Sequence, residues 1–427
     1  MGNLCQKKDY FSKFVTCNND SDMTVEEIRS RFPELSETVY GKPLVYLDNA
    51  ATIQRPQSVI DKWTELSSRF NSNLHRAVHR IAGIATDEYE STRDAVKDFL
   101  NASSREEIIF TSGTTASINL VAFSFGEAFI NEGDEVVVSE VEHHSDIVPW
   151  QMMCDRKKAH LKVLPVDDEG HLRTELLPEL ITERTKILCV AQISNVLGIV
   201  NPVKEIISYC HSRNCAVLVD GAQGVVHGGA DVRDLDCDFY AFSGHKLYAA
   251  PGTGVLYGKK QWLEKMPPYM GGGEMVGTVK FSGTTYAPLP GKFEAGTQNM
   301  AGTPTLKPAM ETALLMREIE PYHREVINYV LDSLMKDSRI RLYGVPRGTS
   351  DKIGLFSFCV DGVHHEDLAL ILDKMGIATR SGQMCAEPIM DRFGVTGMLR
   401  ASFAPYNTME EAEYFIASLD KAIGMLV

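Results

Sequence analysis

The middle of the chain alternates short apolar runs with stretches of helical periodicity. Apolar runs predict strands at 107–111, 135–139, 161–165, 186–191, 216–220, 239–242 and 254–257. Strands separated by helical crossovers form a mostly parallel sheet covered on both faces. The last run follows its predecessor too closely for a helical crossover, which allows an antiparallel direction. The pattern therefore predicts a large α/β domain.

The regions on either side have a different pattern. Residues 1–22 are polar and predict a flexible tail, and Thr24 opens a capping box and a short amphipathic helix. Residues 260–306 are rich in glycine and proline and predict a long irregular connection of functional or interfacial use. A long helical stretch from 307 to 335 and later strands and helices predict a smaller α+β domain. We expect that domain to comprise 23–45 and 307–427, and the large domain 46–306.

Composition narrows the classes of partner. The net charge of −14 argues against a nucleic-acid or anionic-membrane partner, because phosphate binding needs clustered lysine and arginine. No apolar run approaches the ~20 residues that span a bilayer. Nine cysteines, an odd number without a Cys-x-x-Cys pair, fit neither a disulfide framework nor a structural zinc site. A reducing, cytoplasmic location is therefore expected.

Two consecutive apolar runs lead into polar side chains. One ends in Asp220, and the next is followed by Ser243, His245 and Lys246. Open α/β sheets bind ligands beyond the carboxyl ends of their strands. An amine, a carboxylate and hydroxyl groups around one crevice suit pyridoxal 5'-phosphate, because the amine bonds the cofactor aldehyde and the carboxylate keeps the pyridine nitrogen protonated. For either residue alone, a surface lysine or a capping carboxylate is the ordinary alternative.

Three further segments carry candidate groups. Thr114 and Thr115 follow a glycine between a strand and a helix, where a phosphate can bind, although Ser-Gly-Thr is also an ordinary helix entry. His143 follows another strand and can stack on a ring or handle protons, or be a solvated surface residue. Asn195 offers an amide for a ring oxygen or a substrate carboxylate, with loop capping as the alternative.

These segments resemble a known family when they are taken in order. The ordered set is Asn49-Ala-Ala-Thr52, Ser112-Gly-Thr-Thr115, Glu142-His-His144, Ser194-Asn195, Asp220-Gly-Ala-Gln223, Ser243-Gly-His-Lys246 and Phe293-Glu-Ala-Gly-Thr297. Over about residues 25–425 the chain resembles the class V aminotransferase group of fold-type-I pyridoxal-phosphate enzymes, and specifically the SufS/CsdA-type cysteine desulfurases.

The resemblance implies a role for each residue. Lys246 would bear the cofactor, Asp220 would face its pyridine nitrogen, and Gln223 would meet its ring oxygen. His143 would stack on the ring. The phosphate would be held by Thr114, Thr115, Ser243 and His245. Thr297 resembles a position that reaches the phosphate of the partner subunit, which implies a homodimer with shared sites.

Cys385 decides which chemistry is expected. Taken alone it is an ordinary loop cysteine, and an aminotransferase needs no cysteine there. A desulfurase needs a thiolate that attacks the substrate sulfur, and a free thiol titrates near ~8.5. The resemblance assigns this role to Cys385. Arg400 is the first choice for the substrate carboxylate, since its planar fork binds it bidentately, and Arg380 is the second.

The sequence departs from the family beside this cysteine. Many SufS-like proteins carry two histidines where this chain has Gln383 and Met384. The loop is also short, as in relatives that pass sulfur to a dedicated acceptor of the SufE/SufU kind. The resemblance implies conversion of L-cysteine to L-alanine and sulfur transfer for iron–sulfur cluster assembly. A selenocysteine lyase, an aminotransferase or epimerase, and a non-catalytic scaffold remain as alternatives.

Overall fold

The computed structural model describes residues 23–75, 78–348 and 351–427. The predicted tail lies outside these residues, as do Cys5 and Cys17. The strands are β1 (Thr38–Val39), β2 (Lys42–Pro43), β3 (Val45–Tyr46), β4 (Ile108–Thr111), β5 (Glu135–Ser139), β6 (His160–Leu164), β7 (Thr185–Ala191), β8 (Ala216–Asp220), β9 (Phe239–Ser243), β10 (Gly254–Gly258), β11 (Val276–Lys280), β12 (Gly283–Tyr286), β13 (Ile340–Tyr343), β14 (Leu355–Val360), β15 (Ile377–Ala378), β16 (Arg380–Gly382) and β17 (Met398–Ser402).

The helices connect and cover these strands. They are α1 (Val25–Arg29), α2 (Gln57–Arg69), α3 (Arg80–Phe99), α4 (Thr114–Phe129), α5 (Val148–Lys157), α6 (Leu177–Leu180), α7 (Val203–Ser212), α8 (Gly224–His227), α9 (Val232–Leu235), α10 (Lys260–Leu263), α11 (Leu306–Leu315), α12 (Glu320–Lys336), α13 (His365–Lys374), α14 (Glu387–Phe393) and α15 (Met409–Leu426). Within the described residues, no helix combines the length and apolar character needed to cross a membrane.

The main sheet has seven strands in the order β4-β10-β9-β8-β7-β5-β6. Strands β9, β8, β7, β5 and β6 run parallel, whereas β10 is antiparallel to both neighbours. Every residue of β8 and β9 is buried, because apolar cores lie on both faces of the sheet. Asp220 and Ser243 end these two strands, so the fold places both at the same edge. The predicted parallel sheet and the antiparallel last strand are confirmed.

A second sheet of four antiparallel strands, β13-β14-β17-β16, lies later in the chain. Helices α12, α13 and α15 pack on it around a separate apolar core. Strand β3 pairs with β15, and Asp48 forms a bridge to Ser402. These pairings bring the end of β17 and the loop after β16 to the carboxyl edge of the main sheet. The exact division of the chain into two domains stays a prediction.

The structure corrects two sequence-based expectations about connections. Residues 260–306 contain the hairpin β11–β12, so this region is not wholly irregular. Nearly all hairpin residues are exposed, so neither face is buried and the sequence carries no alternating apolar signal. The predicted helix 307–335 is divided by a 3-10 turn at Met316–Ile319, just before Pro321. The capping box at Thr24 is confirmed.

Candidate active site at the carboxyl edge of the sheet

A cavity of about 260 Å³ lies where β7, β8 and β9 end. Its walls include the following residues singled out from the sequence: Thr114, Thr115, His143, Asn195, Asp220, Gln223, Ser243, His245, Lys246, Arg380, Cys385 and Arg400. Thr297 is not among its lining residues and instead borders a neighbouring cavity with Ser112 and Gly252. The fold therefore gathers groups from segments far apart in the chain into one crevice.

Asp220 and Lys246 bring opposite charges into this cavity. Burial raises the pKa of Asp220, and the hydrogen bond from the Ala222 N–H (2.8 Å) and the Lys246 charge oppose that rise. Burial lowers the pKa of Lys246, and the charge of Asp220 opposes this shift. The lowered pKa makes the neutral, nucleophilic form of the amine easier to reach than at a lysine in water.

The start of α4 forms a concave group of donors beside Ser243. The Thr114 N–H donates to the Ser243 Oγ at 2.8 Å, and the two hydroxyls are also 2.8 Å apart. Gly113 has a φ of +151°, and a Cβ there would come within 3.2 Å of the Ser243 Oγ. The first N–H groups of a helix and nearby hydroxyls favour an anion. This part of the cavity can therefore hold a phosphate.

His143 and His245 enter the cavity as neutral rings. Burial lowers the pKa of each to about 4, and the Lys246 charge adds to the effect. The His143 Nδ1 lies 2.8 Å from the Ser145 Oγ and accepts the Ser145 N–H at 3.1 Å. These contacts fix the ring plane of His143 against the cavity, which is the condition for stacking on a flat ligand.

A buried carboxyl pair lies behind His143, and the sequence reasoning missed it. Glu142 accepts from the Ala191 N–H at 2.7 Å and from Ser139, and Asp146 accepts from the Trp150 Nε1 at 2.9 Å. The other oxygens, Glu142 Oε2 and Asp146 Oδ2, are buried without a hydrogen-bond partner, and each carboxyl acts on the pKa of the other. Burial raises the pKa of Glu142 to about 8 and that of Asp146 well above its usual range. Burial and the repulsion between the two carboxylates therefore favour the protonated form of the pair.

Two hydrogen-bond acceptors hold the guanidinium of Arg400 in the cavity wall. Its guanidinium donates to the Asn195 carbonyl at 2.8 Å and to the Asp48 Oδ1 at 3.1 Å, and its Nε has no partner. Asp48 was not singled out from the sequence, because 352 residues separate it from Arg400. By contrast, the side chain of Arg380 is 49% exposed and lies 4.0 Å from Asp48. Arg400 is therefore the more buried of the two cations and the one held by hydrogen bonds.

Cys385 is exposed at the rim of the cavity, in the loop of residues 383–386 that we call the rim loop. Met384 and Cys385 both have left-handed backbone, with φ of +54° and +55°. The Asn195 amide donates to the Met384 carbonyl at 2.9 Å, so this predicted substrate ligand binds the rim loop. The Gln223 amide donates to the Ala50 carbonyl at 2.8 Å, which fixes it in the wall.

The other cysteines form no second group at this cavity. Cys154, Cys189, Cys210, Cys215 and Cys237 are buried, and Cys359 is half-buried in β14. Cys189 lies in the core of the main sheet, whereas Cys359 is only partly covered. Among the described cysteines, Cys385 is the exposed one at the cavity.

The family model of the class V aminotransferases matches residues 45–415. A probable cysteine desulfurase of Vibrio cholerae is 44% identical over 406 residues, or 95% of this chain and 100% of the relative. One of Halalkalibacterium halodurans is 45% identical over 401 residues, or 93% and 98%. The crystal structure of the Escherichia coli cysteine desulfurase CsdA matches with a TM-score of 0.87 and 40% identity, covering 95% of this chain and all of that one.

The chain belongs to the cysteine desulfurases of the class V aminotransferase family. The family and fold class expected from the ordered motifs are confirmed. Enzymes of this family generally depend on pyridoxal phosphate, and its desulfurases act on L-cysteine.

Proposed function

We propose that the chain removes the sulfur atom of L-cysteine, releases L-alanine and carries the sulfur as a persulfide on Cys385. The observation that supports this most directly is that the amine of Lys246 and the thiol of Cys385 border one cavity. The amine is the group that an aminotransferase also needs. The thiol at the rim is the group that sulfur removal adds.

The cavity residues fit pyridoxal phosphate. The donor group at Thr114 and Ser243 suits its phosphate, since Gly113 leaves room there that a Cβ would fill. We assign the remaining phosphate contacts to Thr115 and His245, the pyridine nitrogen to Asp220, the ring oxygen to Gln223 and the ring face to His143. Lys246 would hold the cofactor until the substrate amine takes its place, and the ring would then supply an electron acceptor for negative charge on the substrate Cα.

Lys246 and Arg400 would prepare the substrate. Arg400 binds the carboxylate of cysteine through two parallel N–H donors, while Asp48 and the Asn195 carbonyl hold its guanidinium in plane. The Lys246 amine, whose pKa is lowered by burial, takes the proton from the substrate Cα and later returns a proton to carbon. His143 stays neutral, so it adds no positive charge that would compete with the proton transfer.

Cys385 would perform the sulfur transfer. Its thiolate attacks the substrate sulfur, so that a sulfur–sulfur bond forms while the carbon–sulfur bond breaks. The electron pair of the broken bond goes to the substrate side, and protonation at carbon completes alanine. The persulfide then remains on an exposed residue, where an acceptor can reach it.

We further propose the setting of this reaction. The chain would act as a cytoplasmic homodimer in which Thr297 reaches the phosphate in the partner's cavity. An acceptor protein of the SufE/SufU kind would take the persulfide sulfur toward iron–sulfur cluster assembly. The exposure of Cys385 and the short rim loop support transfer to a docked protein rather than release into solution.

Replacing Cys385 by serine tests the proposal. C385S should keep the absorbance of the bound cofactor while alanine and persulfide formation from cysteine disappear. The matched control is C359S, which changes a half-buried cysteine outside the cavity and should keep full activity. Full alanine formation by C385S would refute the proposed role. Keto-acid formation that ignores Cys385 would indicate an aminotransferase, and higher efficiency with selenocysteine would indicate a selenocysteine lyase.

A further inference from the structure

The rim loop lacks a conventional local anchor on its carboxyl side. Helix α14 starts at Glu387, two residues after Cys385, and its N-cap residue Ala386 provides no side-chain cap. The first N–H groups of a helix have no partner within the helix and need an acceptor. The loop also contains two consecutive left-handed residues, Met384 and Cys385, a conformation that persists only where surrounding contacts impose it.

The missing acceptor comes from His144, on the opposite side of the cavity rim. The Glu387 N–H donates to the Nε2 of His144 at 3.1 Å. The backbone N–H of His144 donates to the Cys385 carbonyl at 2.8 Å. One residue thus bonds the backbone on both sides of Ala386. Because Nε2 accepts a hydrogen bond, the ring is neutral with its proton on Nδ1.

His144 has no other evident task in the site. It follows His143 directly, but unlike His143 it is not among the residues that line the cavity. Its side chain is 35% exposed, so its ring is not a packed core element. Its charged neighbour on the loop side is the Glu387 carboxylate, whose Oε2 lies 3.8 Å from Nε2. The ring therefore contacts the rim loop and not the proposed cofactor position.

We propose that His144 is a positioning residue for Cys385: its ring caps helix α14 and holds the sulfur-accepting thiol at the cavity rim. This inference rests on the proposed function, since it concerns the thiol that takes the sulfur. Without the ring, the start of α14 loses its acceptor and the left-handed pair loses one of its restraints. The thiol then spends less time within reach of the substrate sulfur, while cofactor and substrate binding stay intact.

The test compares H144A with H144Q, whose side-chain oxygen can accept the Glu387 N–H. H160A is the matched control, because His160 is exposed at the start of β6 and distant in sequence from the rim loop. For H144A we expect kcat for alanine formation to fall about tenfold to a hundredfold, the range that a misplaced reacting group produces. KM for cysteine and the cofactor absorbance should stay near wild type. H144Q should recover most of kcat.

Alkylation of Cys385 provides a readout that needs no substrate. Iodoacetamide labelling of the holoenzyme, followed by mass spectrometry of the Cys385 peptide, should show a changed labelling rate in H144A and a nearly wild-type rate in H144Q and H160A. If wild-type enzyme makes no alanine, the proposed function fails, while labelling still tests the cap. An unchanged kcat and labelling rate in H144A would overturn the proposal. So would loss of cofactor by H144A, or failure of H144Q to recover.

Discussion

The floor of the cavity and its rim loop are built in opposite ways. The floor, which we define as Asp220, Ser243 and Lys246, lies at or just beyond the ends of β8 and β9, where every strand residue is buried. The rim loop presents an exposed thiol on left-handed backbone and depends on a few hydrogen bonds to Asn195 and His144. Groups that must keep fixed geometry and charge are placed on the core. The proposed sulfur acceptor, Cys385, lies instead on an exposed loop.

Loss of the floor amine should have the largest effect. K246A removes both the proposed cofactor-bonding group and the proposed base, so alanine formation should fall by at least about 10³-fold, toward the upper end for proton-transfer groups. Steady-state alanine production and the visible absorbance of the protein measure this. K260A, at an exposed lysine, is the control. A K246A variant within tenfold of wild type would show that the floor does not carry the chemistry.

Arg400 and Arg380 allow a buried and an exposed candidate for binding the substrate carboxylate to be compared. Lysine at position 400 cannot reproduce the planar fork, and a charge-assisted hydrogen bond contributes about 1.5–3 kcal/mol, so R400K should raise KM for cysteine about tenfold to a hundredfold. R380K changes a side chain that is 49% exposed and should alter KM less than about threefold. Both values come from initial rates against cysteine concentration. A larger effect in R380K would reassign the carboxylate site.

The Glu142–Asp146 pair lies behind His143. Its ionisation should affect the free energy of unfolding rather than turnover. Burial raises the folded-state pKa of Glu142 from 4.5 to about 8, so the folded protein keeps a proton that the unfolded chain releases between these values. The stabilising contribution is fully present below about pH 4.5 and is lost as pH rises through about 8. Asp146, Asp220, Ser139 and the Ala191 N–H are the groups that face this carboxyl.

The E142Q variant has an amide in place of the Glu142 carboxyl group, and the amide does not titrate. Its free energy of unfolding should therefore fall less than that of wild type between pH 5 and 8, with a difference of roughly 1 kcal/mol or more. Urea unfolding at the two pH values measures it, with E179Q at an exposed position as the control. Equal pH dependence in wild type and E142Q would show that the pKa of Glu142 is not raised in the folded protein.

The floor was predictable from the sequence because local patterns encode it. A buried strand is a short apolar run, and Asp220, Ser243 and Lys246 stand directly after such runs, so their meeting at one edge follows from a parallel sheet. Their individual roles came from the resemblance and stay proposals. The contacts between Asp48 and Arg400 and between His144 and Glu387 join segments more than 200 residues apart. No local pattern encodes such contacts, since they depend on how the second sheet docks.

The smallest effect is expected at Gln383, beside Cys385, where the sequence departs from the family. Gln383 is exposed, whereas Met384 is buried and lines the cavity. Histidines at these two positions would therefore have different surroundings. A charge on the exposed position is screened by water and salt. The charged groups that face the thiol from the floor are better shielded, and Lys246 is close enough for the Cys385 charge to act on its pKa. Q383H should therefore change the alkylation rate of Cys385 less than about threefold. A tenfold acceleration would mean that the side chain at position 383 strongly influences the reactivity of the thiol.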